Sequence, residues 1–132
     1  EQIYLKTTTQ DKTVRIRRRT QEGRSTYTIT QKSRIGSGEC LEREKMISSM
    51  DYISLIGRAD PERKPVKKKR LCFLYGNRYF ELDRFDSPRK GLILLEAESR
   101  GEEKELEFPP CIKVLREVTD EKEFQNSEIA KG

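Results

Sequence analysis

The stretch Thr13–Arg19 reads TVRIRRR, in which two apolar residues alternate with three arginines. The apolar pair is Val14 and Ile16, and the alternating arginines are Arg15, Arg17 and Arg19. A period of two is typical of a β-strand, because successive side chains leave opposite faces of a pleated backbone. The stretch therefore predicts a strand with one apolar face and one cationic face.

Four further stretches follow the same rhythm, and their polar faces carry both signs of charge. They are Thr26–Lys32, Val66–Tyr75, Arg78–Phe85 and Gly91–Ser99. Shorter strands are predicted at Glu39–Glu44 and Ile112–Thr119, and Gly76-Asn77 predicts a tight hairpin turn. This pattern, in a chain of 132 residues, predicts one mainly β (α+β) domain that spans residues 1–132.

Two helices and one loop are predicted beside the strands. Apolar residues recur at spacings of three and four over Lys45–Arg58, which is typical of an amphipathic helix. We expect its stripe to belong to the core: Met46, Ile47, Met50 and Ile53. A short helix capped by Asp120 is predicted over Asp120–Lys131. Arg100–Pro110 is predicted to be an acidic loop.

Composition excludes several kinds of site. The chain has no histidine, which removes serine–histidine and cysteine–histidine triads and every histidine metal site. Its three cysteines (Cys40, Cys72 and Cys111) are too few and scattered for a disulfide framework, and we expect buried free thiols in a reducing compartment. The sequence shows neither a membrane-spanning apolar run nor a signal peptide, so we expect an intracellular, cytoplasmic protein.

The charged faces of the strands either share one interior or lie in water. A shared interior would bring together the cations Arg15, Arg17, Lys32, Lys68 and Arg70 and the acids Glu42, Glu44, Glu81, Asp83, Glu96 and Glu98. Both signs together suit a polyphosphate that chelates Mg²⁺ or Mn²⁺, because cations neutralise phosphate oxygens and carboxylates hold hard metal ions. An antiparallel sheet with one solvated face produces the same alternation. Periodicity alone favours the solvated face.

An ordered set of short motifs reverses that preference. The motifs are R-I-R (Arg15 to Arg17), Y-T-I-T-Q-K (Tyr27 to Lys32), E-x-E-x-x-I (Glu42 to Ile47), K-x-R (Lys68 to Arg70), F-E-L-D (Phe80 to Asp83), G-L-I-L-L-E-A-E (Gly91 to Glu98), E-V-T (Glu117 to Thr119) and a closing N-S-x-x-A-K (Asn126 to Lys131). In this order they resemble the CYTH superfamily, the triphosphate tunnel metalloenzymes. The resemblance implies a closed antiparallel β-barrel tunnel with a few peripheral helices, and charged faces that line its inside.

The resemblance also implies roles for the charged residues. Phosphate binding is implied for Arg15, Arg17, Lys32, Lys68 and Arg70, with Lys131 in the end segment that approaches the tunnel mouth. Metal binding, or ordering of the basic residues, is implied for Glu81, Asp83, Glu96 and Glu98, with Glu42 and Glu44 as supporting tunnel acids. The family's first strand, E-x-E-x-K, has no counterpart before Tyr4-Leu5. We therefore expect a domain excised from a longer protein, without the first acidic strand and its metal-binding acids.

A finer likeness concerns Lys68 to Asp83 followed by Lys90 to Glu96. These segments resemble the CYTH-like domain of eukaryotic P-loop ATPase–CYTH fusion proteins of the translocation-defect protein 14 type, which implies an upstream P-loop NTPase domain. Two functions stay open. One is binding of a polyphosphorylated ligand such as a triphosphate or nucleotide, with metal-dependent triphosphate hydrolysis. The other is a non-catalytic module that binds a phosphoinositide or nucleotide.

Nucleic-acid binding is not expected. Single-stranded nucleic acids stack their bases on aromatic side chains that lie among basic residues. Here Phe73, Tyr75 and Phe80 are predicted on the face opposite the cations. The sequence carries no signal for an oligomeric state.

Overall fold

A computed structural model describes residues 1–36, 38–98 and 107–132. Its strands are β1 (Gln2–Tyr4), β2 (Lys12–Gln21), β3 (Arg24–Ile35), β4 (Glu39–Ile47), β5 (Lys67–Tyr75), β6 (Arg78–Ser87) and β7 (Ile93–Ala97). Its helices are α1 (Ser49–Ile56) and α2 (Asn126–Ile129), preceded by a 3₁₀ turn (Lys122–Phe124). The prediction of a mainly β domain with few helices is confirmed.

The strands form two antiparallel sheets. One has the order β1-β2-β3-β4 and the other β5-β6-β7. Gln2 and Val66 join them through a bridge in which each backbone N–H donates to the other's carbonyl at 2.8 Å. Among the strand pairs that the structure describes, none closes β4 onto β7. The closed tunnel therefore stays a prediction, and the pairing observed is an open array.

The first sheet separates apolar from charged side chains as the alternation predicts. Ile16, at the centre of β2, is fully buried and packs with Ile3, Leu5 and Tyr52. Helix α1 supplies Tyr52 and covers this face. The register places Arg15 beside Thr30 on β3, and Thr30 beside Glu44 on β4. The opposite face of the sheet is therefore polar.

A second core fixes the two sheets to the C-terminal helix. It contains Ile129, the last residue of α2, and Ala130, which follows it; both are fully buried. They pack against Tyr4 from β1, Val66 at the bridge and Phe85 from β6. The amide of Lys64 also donates to the carbonyl of Ala130 at 2.6 Å. Helix α2 thus holds the second sheet beside the first.

Helix α1 begins later than the sequence predicts. Strand β4 continues through Ile47, and the Ser48 hydroxyl caps the helix by accepting from the Asp51 amide at 3.0 Å. The predicted core stripe is wrong at three of its four residues, since the side chains of Met46, Met50 and Ile53 are 72%, 79% and 67% exposed. Its fourth residue, Ile47, does pack against the core. Tyr52 is the buried residue of α1, with its ring 5.0 Å from that of Tyr27.

Three other predictions need correction. Residues 112–118 of the predicted last strand have no regular secondary structure, and α2 begins after Gln125 rather than at a cap on Asp120. All three cysteines are free but exposed. Cys40 and Cys72 lie on edge strands of the two sheets, and Cys111 lies in a loop. Most of the predicted acidic loop, residues 100–106, falls outside the described residues. Within the described ranges, no helix is long and apolar enough to span a membrane.

Candidate functional site

Three arginines form a row along the polar face of β2. Arg15, Arg17 and Arg19 are the members of this arginine row, and each faces a threonine of β3 in register. Threonine offers a hydroxyl but no charge. In the described part of the chain, β2 makes its ion pair through Arg18, on the opposite face, at 4.0 Å from Glu1. The arginine row is therefore not neutralised by its neighbouring strand.

The pKa of Arg17 reports the field inside the arginine row. Burial lowers it, and the positive charges of Arg15, Arg19 and Arg70 lower it further, while Glu44 acts weakly in the other direction. Arginine stays protonated in proteins, so this lowered pKa reflects the cost of holding a charged guanidinium in a partly buried place among other cations. The Gln2 amide oxygen, oriented toward the guanidinium, accepts from Arg17 Nη2 at 2.8 Å and Nε at 3.1 Å. A neutral amide leaves the positive charge uncompensated.

Two buried polar atoms on this face lack a partner within the described residues. They are Arg15 Nε and Thr28 Oγ1. A buried donor without a hydrogen bond costs about 1–3 kcal/mol, so such atoms are uncommon in native structures. Oxygen atoms of an anionic ligand would provide an acceptor for the guanidinium nitrogen. The arginine row is thus short of both negative charge and hydrogen-bond acceptors.

In the second sheet, the cations are paired with acidic side chains. Asp83 is buried and accepts from Lys68 Nζ at 2.6 Å, from Arg70 Nε at 2.7 Å and from Arg70 Nη2 at 2.8 Å. Arg70 also pairs with Glu81. Burial raises the pKa of Asp83, but the hydrogen bonds from Arg70 and Lys68 outweigh it, and the pKa lies below its usual value. These cations already have carboxylate partners.

The polar faces of the two sheets lie on a shared side of the molecule. Burial lowers the pKa of Lys68 and the hydrogen bond to Asp83 opposes it, but the charges of Arg70 and Arg17 lower it further. Since Arg17 belongs to β2 and Lys68 to β5, the two charged faces act on each other across the Gln2–Val66 bridge. The charged faces of the two sheets thus lie close enough to influence each other.

An open pocket of about 1400 Å³ adjoins these faces. Arg15, Lys32 and Glu42 line one side of it, and Glu96 on β7 lines another. A smaller cleft of about 70 Å³ lies between Arg17, Arg19, Thr28 and Glu44. The predicted phosphate ligands are therefore distributed: Arg15 and Lys32 face the large pocket, Arg17 faces the small cleft, and Lys68 and Arg70 surround Asp83.

Two predicted residues lie apart from this cluster. Lys131 is exposed and pairs with Glu128 of α2 at 2.9 Å. Glu98 follows β7 with an exposed side chain, and its backbone amide donates to the Tyr79 carbonyl at 3.1 Å. The structure therefore does not bring these two side chains to the arginine row.

The acids offer a limited set of metal ligands. No three acidic or sulfur-bearing side chains within the described ranges are grouped for metal binding. Asp83 and Glu81 are engaged by cations, while Glu96 lies beside Glu81 in register. Mg²⁺ commonly takes one or two carboxylates and completes its shell with waters and substrate phosphates. The donor set fits a metal held jointly with a phosphate ligand, not a cage of protein atoms.

Several residues of the site escaped the sequence prediction. Arg19 carried a signal, because it continues the alternation of β2. Thr28 also alternates with the apolar residues of β3, but a hydroxyl alone indicates no ligand. Gln2 had no such signal, and Asn126 began the closing motif without a role assigned to it. The Asn126 side-chain oxygen accepts from Lys68 Nζ at 3.4 Å.

Comparison with known proteins yields two similar solved structures of one protein, NE1496. One, described as a hypothetical protein, has 29% sequence identity and a TM-score of 0.67, covering 99% of this chain and 83% of that chain. The other, described as an inorganic triphosphatase, has 27% identity and a TM-score of 0.67, with 99% and 80% covered. No protein-family model and no curated protein matches the chain. The chain thus resembles an inorganic triphosphatase in fold, which supports its likeness to the triphosphate tunnel superfamily.

Proposed function

We propose that the polar faces of the two sheets bind a polyphosphate, with inorganic triphosphate as the simplest ligand. The observation that carries this proposal is the arginine row, whose three cations face threonines instead of acids. The lowered pKa of Arg17 has burial as its largest cause and neighbouring cations as the next, and a bound anion would relieve the latter. The similarity to an inorganic triphosphatase supports the same ligand class.

The expected role of each residue in binding depends on the side chains that it already contacts. Arginine grips phosphate oxygens through two parallel N–H donors, and Arg15 has an unpartnered Nε inside the described region. Lys32 lines the large pocket beside it as a compact point charge. Lys68 and Arg70 are already paired with Asp83 and Glu81. The first contacts with phosphate are therefore expected from β2 and β3.

We also propose that the bound triphosphate is hydrolysed. Glu96, which lines the large pocket, is the acid that we propose for binding Mg²⁺ or Mn²⁺ together with the ligand's phosphates. A divalent ion bound there would polarise the terminal phosphoryl group. The arginine row would hold the polyphosphate in place and stabilise the charge on its oxygens, and such positioning supplies most of the catalysis in phosphoryl transfer.

A second candidate function is binding without hydrolysis, of a nucleotide or a phosphoinositide head group. One observation favours it: Asp83 and Glu81 are already engaged by Lys68 and Arg70. Acids that neutralise cations are poorly available to a metal ion. Such a module could regulate an NTPase domain of the same protein. The sequence resemblance is the basis for proposing that domain.

The test combines calorimetric titration with inorganic triphosphate and a phosphate-release assay in Mg²⁺ or Mn²⁺. Arg17→Ala should weaken binding by roughly tenfold or more, because hydrogen bonds to charged groups contribute about 1.5–3 kcal/mol. Arg18→Ala is the matched control, since its side chain lies on the opposite face, and it should bind normally. Equal affinities of the two variants would contradict the proposal. Binding without phosphate release would support the second candidate.

A further inference from the structure

The large pocket has an apolar side that an inorganic ligand would leave unused. Leu92 and Leu94 from the β7 region line it, together with Ile112 and Phe124 from the C-terminal segment. Leu115 also lines it and is 85% exposed. Leu92, Leu94, Ile112 and Phe124 are half-buried, so Leu115 is the exposed member of this set. Apolar side chains that share a concave surface are typical of a small-molecule site.

The cations of the pocket indicate where a phosphate group would lie. Arg116, on the apolar side, donates to both carboxylate oxygens of Glu121, at 2.8 and 2.9 Å. Arg15, on the opposite side, retains a buried nitrogen without a partner among the described residues. Lys32 and Lys113 are the other cations of the described lining, and Lys32 shares the first sheet with Arg15. We therefore place the anionic group at Arg15 and Lys32, with the rest of the ligand extending toward the leucines.

We propose that the ligand of this pocket is an amphiphilic polyphosphate ester, with its phosphates at Arg15 and Lys32 and an apolar chain, such as a prenyl group, against the apolar side. The inference rests on the proposed function and names its ligand class. The open pocket of about 1400 Å³ has room for both parts of such a ligand. An inorganic triphosphate has no apolar surface to match such a lining.

The experiment compares ligands with one head group and different organic parts. Inorganic diphosphate, ADP and geranyl diphosphate are titrated into the chain by calorimetry at submicellar concentration. Geranyl diphosphate should bind at least about tenfold more tightly than either of the others, since each buried methylene contributes about 0.8 kcal/mol, or roughly fourfold in affinity. Equal affinity of geranyl diphosphate and inorganic diphosphate, or a preference for ADP, would overturn the inference.

Two exposed leucines provide matched variants. Leu115→Ser should remove most of the preference for geranyl diphosphate and leave inorganic diphosphate binding unchanged. Leu74→Ser is the control, because Leu74 is 75% exposed and lies on β5 outside the described lining of the pocket. An unchanged preference in Leu115→Ser would contradict the inference. If no phosphate compound binds at all, the proposed function itself fails, and the two failures are thus distinguishable.

Discussion

The two sheets carry cations on their polar faces, but they place opposite partners beside them. Strand β2 has its arginine row next to the threonines of β3. Strand β5 has Lys68 and Arg70 next to Asp83 and Glu81 of β6. The difference shows that a row of cations on a strand acquires its role from the neighbouring strand. Cations beside acids hold the fold together, and cations beside hydroxyls remain available to an anion.

The contrast separates stability from binding. A buried ion pair contributes little relative to a well-packed apolar substitute, but removal of one partner leaves an uncompensated charge. Cations that repel each other, as in the arginine row, oppose folding slightly until an anion arrives. Changes to β5 and β6 should therefore alter the free energy of unfolding, and changes to β2 should alter affinity.

The largest effect is expected for Asp83→Ala. The change leaves Lys68 and Arg70 partly buried without their shared carboxylate, and we expect the free energy of unfolding to fall by about 3–5 kcal/mol. Urea denaturation measures it. Asp86→Ala, at an exposed position of the same strand, is the control and should stay within about 0.5 kcal/mol of the parent. A loss in Asp83→Ala no greater than in the control would break the contrast between the sheets.

A matched pair of arginine substitutions should differ by a smaller amount. Arg70→Met removes two hydrogen bonds to Asp83, and we expect a loss of about 1.5–3 kcal/mol in the free energy of unfolding. Arg17→Met also removes two hydrogen bonds, to the buried Gln2 amide, but it relieves repulsion from neighbouring cations and keeps an apolar stem, so we expect a smaller loss than for Arg70→Met. Urea denaturation in a phosphate-free buffer compares them. Equal losses in both variants would show that the two rows of cations play the same role.

A smaller effect concerns pH. The pKa of Asp83 is lower in the folded chain than its ordinary value of 3.8, because the hydrogen bonds from Arg70 and Lys68 outweigh burial. Its contribution to stability is thus fully present above the unfolded pKa and is lost as the pH falls through the folded one. Between about pH 5 and pH 2, the free energy of unfolding should fall more in the parent than in Asp83→Asn. Parallel pH profiles of unfolding would contradict this assignment.

The smallest expected effect is that of Lys131→Ala on affinity for triphosphate. Lys131 is exposed and pairs with Glu128, and exposed ion pairs contribute about 0–1 kcal/mol. Calorimetric titration should therefore give an affinity within a fewfold of the parent. A loss comparable to that of Arg17→Ala would place Lys131 at the bound phosphates, as the family resemblance implies, and would extend the site to the C-terminal segment.

Alternation was sufficient to predict β2, β3, β5, β6 and β7 and the polar face of the first sheet. The faces of β2 and β3 follow directly from the period of two, as the buried Ile16 and its polar neighbours show. Cross-strand partners were not predictable, since the pairing of Arg70 with Asp83 depends on the β5–β6 register. The sequence therefore located the cations but did not distinguish the neutralised ones from the free ones.

Helix α1 and the C-terminal segment show where local patterns are insufficient. The spacing of Met46, Met50 and Ile53 is helical, but β4 extends into that pattern and Tyr52 takes the core position. The burial of Ile129 and Ala130 depends on contacts with Tyr4 and Val66, which are distant in sequence. Tertiary packing decides both features, and no short window of residues contains it.

The most direct test of the central claim is the shift in unfolding free energy that inorganic triphosphate causes in the parent and in Arg17→Met. A ligand that binds only the folded state raises the free energy of unfolding by about 2.7 kcal/mol at a concentration one hundred times its Kd. The triphosphate concentration is set from the Kd of the parent. We predict this stabilisation for the parent and for Arg18→Ala, and about 1.4 kcal/mol or less for Arg17→Met at the same concentration, because a loss of tenfold or more in affinity leaves the ligand at no more than about ten times the variant's Kd. Equal stabilisation of Arg17→Met and the parent would contradict the assignment of the arginine row as the polyphosphate site.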